Sequence, residues 1–191
     1  MKKNFYLTGL LALCMVLCSV SGKAAGITTD PRDTTVCSGI LTMFTVADTG
    51  SSPITFMWQI SSNGGATWAT LSDTLLFSGT HTDTLKVTAD NSINGNIFRV
   101  IDSNAFGVDT SLSAMLTVLT IPSAGVITGT SSVCAGSTVT LSSSVGGGTW
   151  SSSATAVATI GSDGDVTGVL SGFSTISYSL SNTCGTGTTT Y

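Results

Sequence analysis

The chain has 191 residues, a formal net charge of −4 and only 8% charged residues. Six Lys and Arg residues, with no basic stripe or patch, leave no footprint for nucleic acid or for anionic lipid. Good helix formers are scarce, and Thr and Val recur in short alternations between turn residues, so an all-β chain is expected.

Residues 1–25 read as a signal peptide. Lys2 and Lys3 precede an apolar run from Phe5 to Val20, and small residues cluster at Ser21, Gly22, Ala24 and Ala25. The run is short for a membrane span of roughly 20 residues, so no stable span remains after cleavage. Leu13 and Leu17 precede Cys14 and Cys18, which argues against a lipidated cysteine. The mature start is expected between Gly22 and Ile27. A cut after Ala25 leaves three basic residues (Arg32, Lys86, Arg99) against ten Asp and no Glu. Most of the Asp residues sit beside Gly, Ser, Thr or Asn, which is turn chemistry.

Two modules follow. The first is expected over residues 27–119. Ile40, Thr42, Phe44 and Val46 share one strand face. Ile54, Phe56, Trp58 and Ile60 alternate with Thr55, Met57 and Gln59, giving a core face and a wet face. Ser62-Asn63-Gly64-Gly65 turns the chain, and Thr67–Thr70 returns antiparallel. Later strands are marked by Leu85 and Val87, by Phe98, Val100 and Ile101, and by Leu116 and Val118. Pro122, Ser123, Ala124 and Gly125 place a linker at 120–129. The second module is expected over 126–191, where Ala158 and Ile160, then Ile176, Tyr178 and Leu180, line inward faces. Both modules open on the same pattern, Val36-Cys37-Ser38-Gly39 and Val133-Cys134-Ala135-Gly136, which indicates one plan used twice. After Gly185 and Gly187 come only Thr188–Thr190 and Tyr191, without an apolar alternation. The closing strand is therefore expected to be cut short and the second module truncated at its C-terminus, with further domains of the same polypeptide to follow.

Phe56-x-Trp58-Gln59, Asn63-Gly64-Gly65-x-x-Trp68, Phe77-Ser78-Gly79-Thr80, Thr84-Leu85-x-Val87 and Phe98-Arg99-Val100 resemble the Ig-like domains of surface proteins from gliding bacteria. The resemblance implies a β-sandwich with Trp58 buried. Two departures stand out. Phe98 replaces the corner tyrosine, and Val100 stands where the later strand carries Cys, so Phe44 and Val100 are expected to meet as apolar neighbours. In the second module, Gly147-Gly148-x-Trp150-Ser151, Ala158-Thr159-Ile160, Gly164-x-Val166-Thr167-Gly168, Ile176-x-Tyr178 and Thr183-Cys184-Gly185 resemble the bacterial Ig-like group 2 family, especially its secreted form with flanking cysteines. The fold class is thus all-β, two Ig-like β-sandwiches in tandem after a signal peptide. A disulfide between Cys134 and Cys184 is expected within the second module, leaving Cys37 free or paired between chains.

No catalytic set assembles. Ser78, His81 and Asp83 lie within six residues of one another, whereas a triad draws on separate elements. Asp102, the one Asp in an apolar run, reads as a turn or strand end. Asp163 and Asp165 flank Gly164 and are too few for a hard cation, so no metal or other cofactor is expected. Among Trp58, Trp68 and Trp150, Trp68 is the candidate ligand contact because it follows the Gly-Gly turn. The expected function is a non-catalytic adhesin or spacer module, extracellular or on the outer cell surface, with a protein or glycan ligand. The alternative is a carbohydrate-binding accessory module of a secreted polysaccharide-degrading enzyme.

Overall fold

The computed structural model describes residues 22–191; the expected signal segment up to Ser21 lies outside them. The first part of the chain carries β1 (Ile27–Thr29), β2 (Thr34–Cys37), β3 (Leu41–Thr45), β4 (Ala47–Asp48), β5 (Thr55–Ser61), β6 (Ala69–Thr70), β7 (Phe77–Ser78), β8 (Thr84–Thr88), β9 (Ile97–Asn104), β10 (Gly107–Thr110) and β11 (Ala114–Leu119). One sheet runs β2-β11-β9-β5-β6, with β10 also on β9, and the other runs β3-β8-β7; β1 pairs with β4. The alternation in β5 works as expected: Trp58 is fully buried beneath Thr55 and Gln59, which face outward. Phe44, Trp58, Leu85, Val87, Phe98, Val100 and Leu116 form one core between the sheets. Within it Phe44 stacks on Phe98, with centroids 5.0 Å apart, and Val100, the expected apolar neighbour of Phe44, lies in the same core.

The sheet closes at β2, which pairs parallel to β11 from Leu116↔Thr34 to Leu119↔Cys37. That pairing covers the edge of β11. The second part of β11's work is inside: Ala114, Leu116 and Val118 alternate into the core.

The second part of the chain carries β12 (Ile127–Thr128), β13 (Thr138–Thr140), β14 (Ser142–Ser143), β15 (Thr149–Ser152), β16 (Ala158–Ile160), β17 (Asp165–Gly168), β18 (Ile176–Asn182) and β19 (Gly185–Thr190). Its sheets are β13-β17-β16 and β15-β18-β19, with β12 on β14. Tyr178 and Ile176 point inward with Leu141, Ala158 and Val166. Trp150 packs on Tyr178 at 4.6 Å, and the Tyr178 hydroxyl accepts from the Gly148 amide at 2.7 Å. The Thr-rich end does form a strand. β19 pairs with β18 at every residue from Gly185↔Asn182 to Thr190↔Ser177.

Candidate functional site

The joint between the two sandwiches is the most elaborated feature of the molecule. Cys37 ends β2, opposite Leu119 at the end of β11. Cys184 sits in the turn between β18 and β19. The two are joined by a disulfide, with Cα atoms 5.5 Å apart and a sequence separation of 147. The expected Cys134–Cys184 pairing is therefore wrong, and Cys37 is bonded within its own chain. Cys134 is an exposed free thiol. The physical reason is strand direction. Val133 and Gly168 line one cavity with Ile176, so the Ala135↔Gly168 bridge holds Cys134 toward the Ile176 end of β18, whereas Cys184 follows the Asn182 end. Seven residues of extended chain put those ends about 20 Å apart, far beyond disulfide reach.

Non-covalent contacts reinforce the staple. Asn182 Nδ2 donates to the Thr120 carbonyl at 2.7 Å, and its Oδ1 accepts from the Cys184 amide at 2.8 Å. Gly185 lies on Ile121, and Gly187 packs on the Pro122 carbonyl so closely that no Cβ fits. Ala124 is already buried in the second core. The segment expected as a linker is thus seated under the β18–β19 hairpin. The same seat exists at the start of the first sandwich. Asn104, in the β9–β10 hairpin, donates from Nδ2 to the Lys23 carbonyl at 2.9 Å, and its Oδ1 accepts from Phe106 and Gly107. Asn104-Ala105-Phe106-Gly107 and Asn182-Thr183-Cys184-Gly185 are one turn built twice, with Phe106 in the place of Cys184.

The repeated Val-Cys-x-Gly openings are also one turn built twice. The Ile40 and Ser137 amides return to the Cys37 and Cys134 carbonyls at 3.1 and 3.0 Å. Gly39 and Gly136 take φ of 85° and 80°, which glycine adopts without steric cost.

The remaining candidates fall apart or change meaning. Ser78, His81 and Asp83 are all exposed, and the His81 ring bonds the Thr80 hydroxyl. Thr80 in turn donates to Asp73, which holds that carboxyl below its ordinary pKa. Asp163 accepts from the Asp165 amide, and Asp165 accepts from the Thr140 hydroxyl. Trp68 is half-buried, and the Arg99 guanidinium lies 4.1 Å over its ring, held from the side by Gln59. One ring face is therefore occupied.

Asp102 is not at a strand end. It lies within β9, is 0% exposed, and neither carboxyl oxygen has a hydrogen-bond donor from the described residues. Burial, then the adjoining Asp48 carboxyl and the charge of Asp109, raise its pKa to about 7. Asp48 is held below its ordinary value by Asp102 and by the Gly26 and Gly50 amides. The Asp102 carboxyl is sealed from solvent, while Asp48 is half-buried beside it. Its sequence signal was the apolar run Val100-Ile101 before it.

Comparison with solved structures places the architecture. A three-Ig fragment of titin matches with a TM-score of 0.53 at 14% identity, covering 88% of this chain and 64% of the titin fragment. The N-terminal four Ig domains of a Dscam1 isoform match with a TM-score of 0.52 at 11% identity, covering 90% of this chain and 45% of that fragment. Both modules are Ig-like β-sandwiches. The chain spans less than two thirds of the length of either fragment. No family model matches it, and no curated relative does. No helix among the described residues is long and apolar enough to cross a membrane.

Proposed function

We propose that this protein is an exported, non-catalytic structural and interaction unit, a stapled spacer or adhesin at the outer cell surface. In this reading a signal peptide over residues 1–25 precedes the modules at 27–119 and 126–191. The observation that carries it is the position of the Cys37–Cys184 bond. It joins two modules across their junction, and such bonds persist in oxidising, extracytoplasmic compartments. A load entering before Cys37 and leaving after Cys184 passes through the sulfur atoms and bypasses both cores. Ordinary flexibility between domains is removed by the same link.

Pulling the mature chain by its ends tests this. The oxidised chain should release only the short segments outside the bond. Reduction should free 147 residues, on the order of 500 Å of extended chain. Equal extension in both states defeats the spacer reading. A glycan array on the same material, with Trp68→Ala as control, tests the carbohydrate-binding alternative. Specific binding lost in that variant transfers the reading to a saccharide-binding module.

A further inference from the structure

The residues that lead into the first sandwich are part of its structure. Gly22 lies against the Phe106 ring, without room for a Cβ. The Lys23 amide donates to Ser51 Oγ at 2.8 Å. Its carbonyl accepts from the Ser51 amide and from Asn104 Nδ2, both at 2.9 Å. Its ammonium group donates to Thr49 Oγ1 at 2.6 Å. The Ala24 methyl packs on Gly107. The Ala25 amide donates to Asn104 Oδ1 at 3.2 Å, and Ala25 is buried. The Gly26 amide donates to Asp48 Oδ2 at 2.6 Å.

The second sandwich shows how much of this segment the plan requires. The offset of 97 residues from Cys37 to Cys134 carries Gly22, Lys23 and Ala24 onto Leu119, Thr120 and Ile121. Each contact has its counterpart there. Phe106 meets Gly22 as Cys184, its Sγ 3.8 Å from the Leu119 carbonyl oxygen, meets Leu119. Asn104 bonds the Lys23 carbonyl as Asn182 bonds that of Thr120. Gly107 lies on Ala24 as Gly185 lies on Ile121. The first module therefore begins, in structural terms, at Gly22.

A leader-cleaving peptidase takes a small residue just before the cut and another two places upstream. Three triplets satisfy this near the apolar run: Ser19-Val20-Ser21, Gly22-Lys23-Ala24 and Ala24-Ala25-Gly26. The second and third would remove Lys23 and leave Ser51 and Asn104 without their backbone partner. We propose that processing occurs at the Ser21–Gly22 bond, so that the exported chain keeps the whole seat beneath the β9–β10 hairpin. Water adds across that peptide bond. Its oxygen goes to the Ser21 carbonyl carbon, and the Gly22 nitrogen takes the proton to become the new amine. The inference rests on the export reading and moves the end of the signal segment from Ala25 to Ser21.

The test expresses the full chain with its own leader in a secreting host and determines the first residue of the exported material. Gly22 is expected, and a first residue beyond Gly22 overturns the proposal. Two variants separate the reading frames. Ser21→Gln should lower the yield of chains starting at Gly22 by about tenfold or more, because a long side chain then precedes the cut. Ala24→Gln should leave the cut where it is. The opposite pattern overturns the proposal. Hydrogen exchange on the processed chain checks the seat itself. The Ser51 amide, bonded to the Lys23 carbonyl, should be protected, and free exchange there overturns the argument from the fold. A chain recovered with Met1 in place defeats the export reading and this proposal with it, whereas a cut at another bond defeats the proposal alone.

Discussion

The first sandwich buries thirteen residues in its core cluster, the second seven. Both use the same hairpin turn, the same Val-Cys-x-Gly turn and the same seat for the incoming chain. The difference lies at the strand that closes the structure. Where β11 supplies Leu116 and Val118, the second core has a groove, and its loop leaves Phe173 in solvent. Local turn chemistry is thus sufficient to set the plan of such a module. Its stability depends on how many strands bring side chains between the sheets. The staple joins the module with the smaller core to the one with the larger core.

Removing the staple should give the largest effect. In the chain-entropy treatment, a closed loop of 147 residues contributes about 5 kcal/mol. Cys184→Ser should lower the denaturation midpoint of the second module more than that of the first, since the second has less core to fall back on. Equal shifts in the two transitions would mean that the modules unfold as one unit. A matched pair of core truncations comes next. Leu116→Ala should cost about 2–5 kcal/mol in the filled core. Ile176→Ala should cost less, because its side chain already borders open space and loses fewer contacts. Chemical denaturation of both variants checks the ranking, and a larger loss at Ile176 would show the groove to be closed in solution.

A third prediction concerns pH and belongs to the first module alone. The Asp102 carboxyl titrates near 7 when folded, against an ordinary value of 3.8. A raised acid stabilises the fold while protonated, and that contribution is lost as pH climbs from about 4 through 7. Asp48 has the opposite sign, and its contribution is lost only as pH falls below its ordinary range. The melting temperature of the first module should therefore fall between pH 4 and 7, and Asp102→Asn should flatten that slope. An unchanged slope in the variant would remove Asp102 as its source. The smallest effect is expected at Arg99→Ala. It removes the guanidinium from Trp68 and should cost up to about 1 kcal/mol, read from the same melts.

Much of this molecule was legible in its residues. Alternation at Ile54–Ile60 and Ile176–Leu180 declared strands with one wet face, because side chains along a strand point to opposite sides in turn. Gly64 and Gly65 declared a tight turn, because glycine takes a positive φ freely. The all-β class and the duplicated plan follow from such local rules; the sandwich came from the family resemblance. Cysteine pairing does not. Cys134 and Cys184 are near in sequence but lie at opposite ends of β18, whereas Cys37, 147 residues away, meets Cys184 at the joint. Asp102 looked like a strand end because burial of a carboxylate is costly, and only the tertiary packing shows it buried, where burial first and the Asp48 carboxyl second favour its neutral form. The groove is a property of tertiary structure too. A short Thr-rich strand pairs its backbone as well as any other, and the space it leaves appears only when the two sheets face each other.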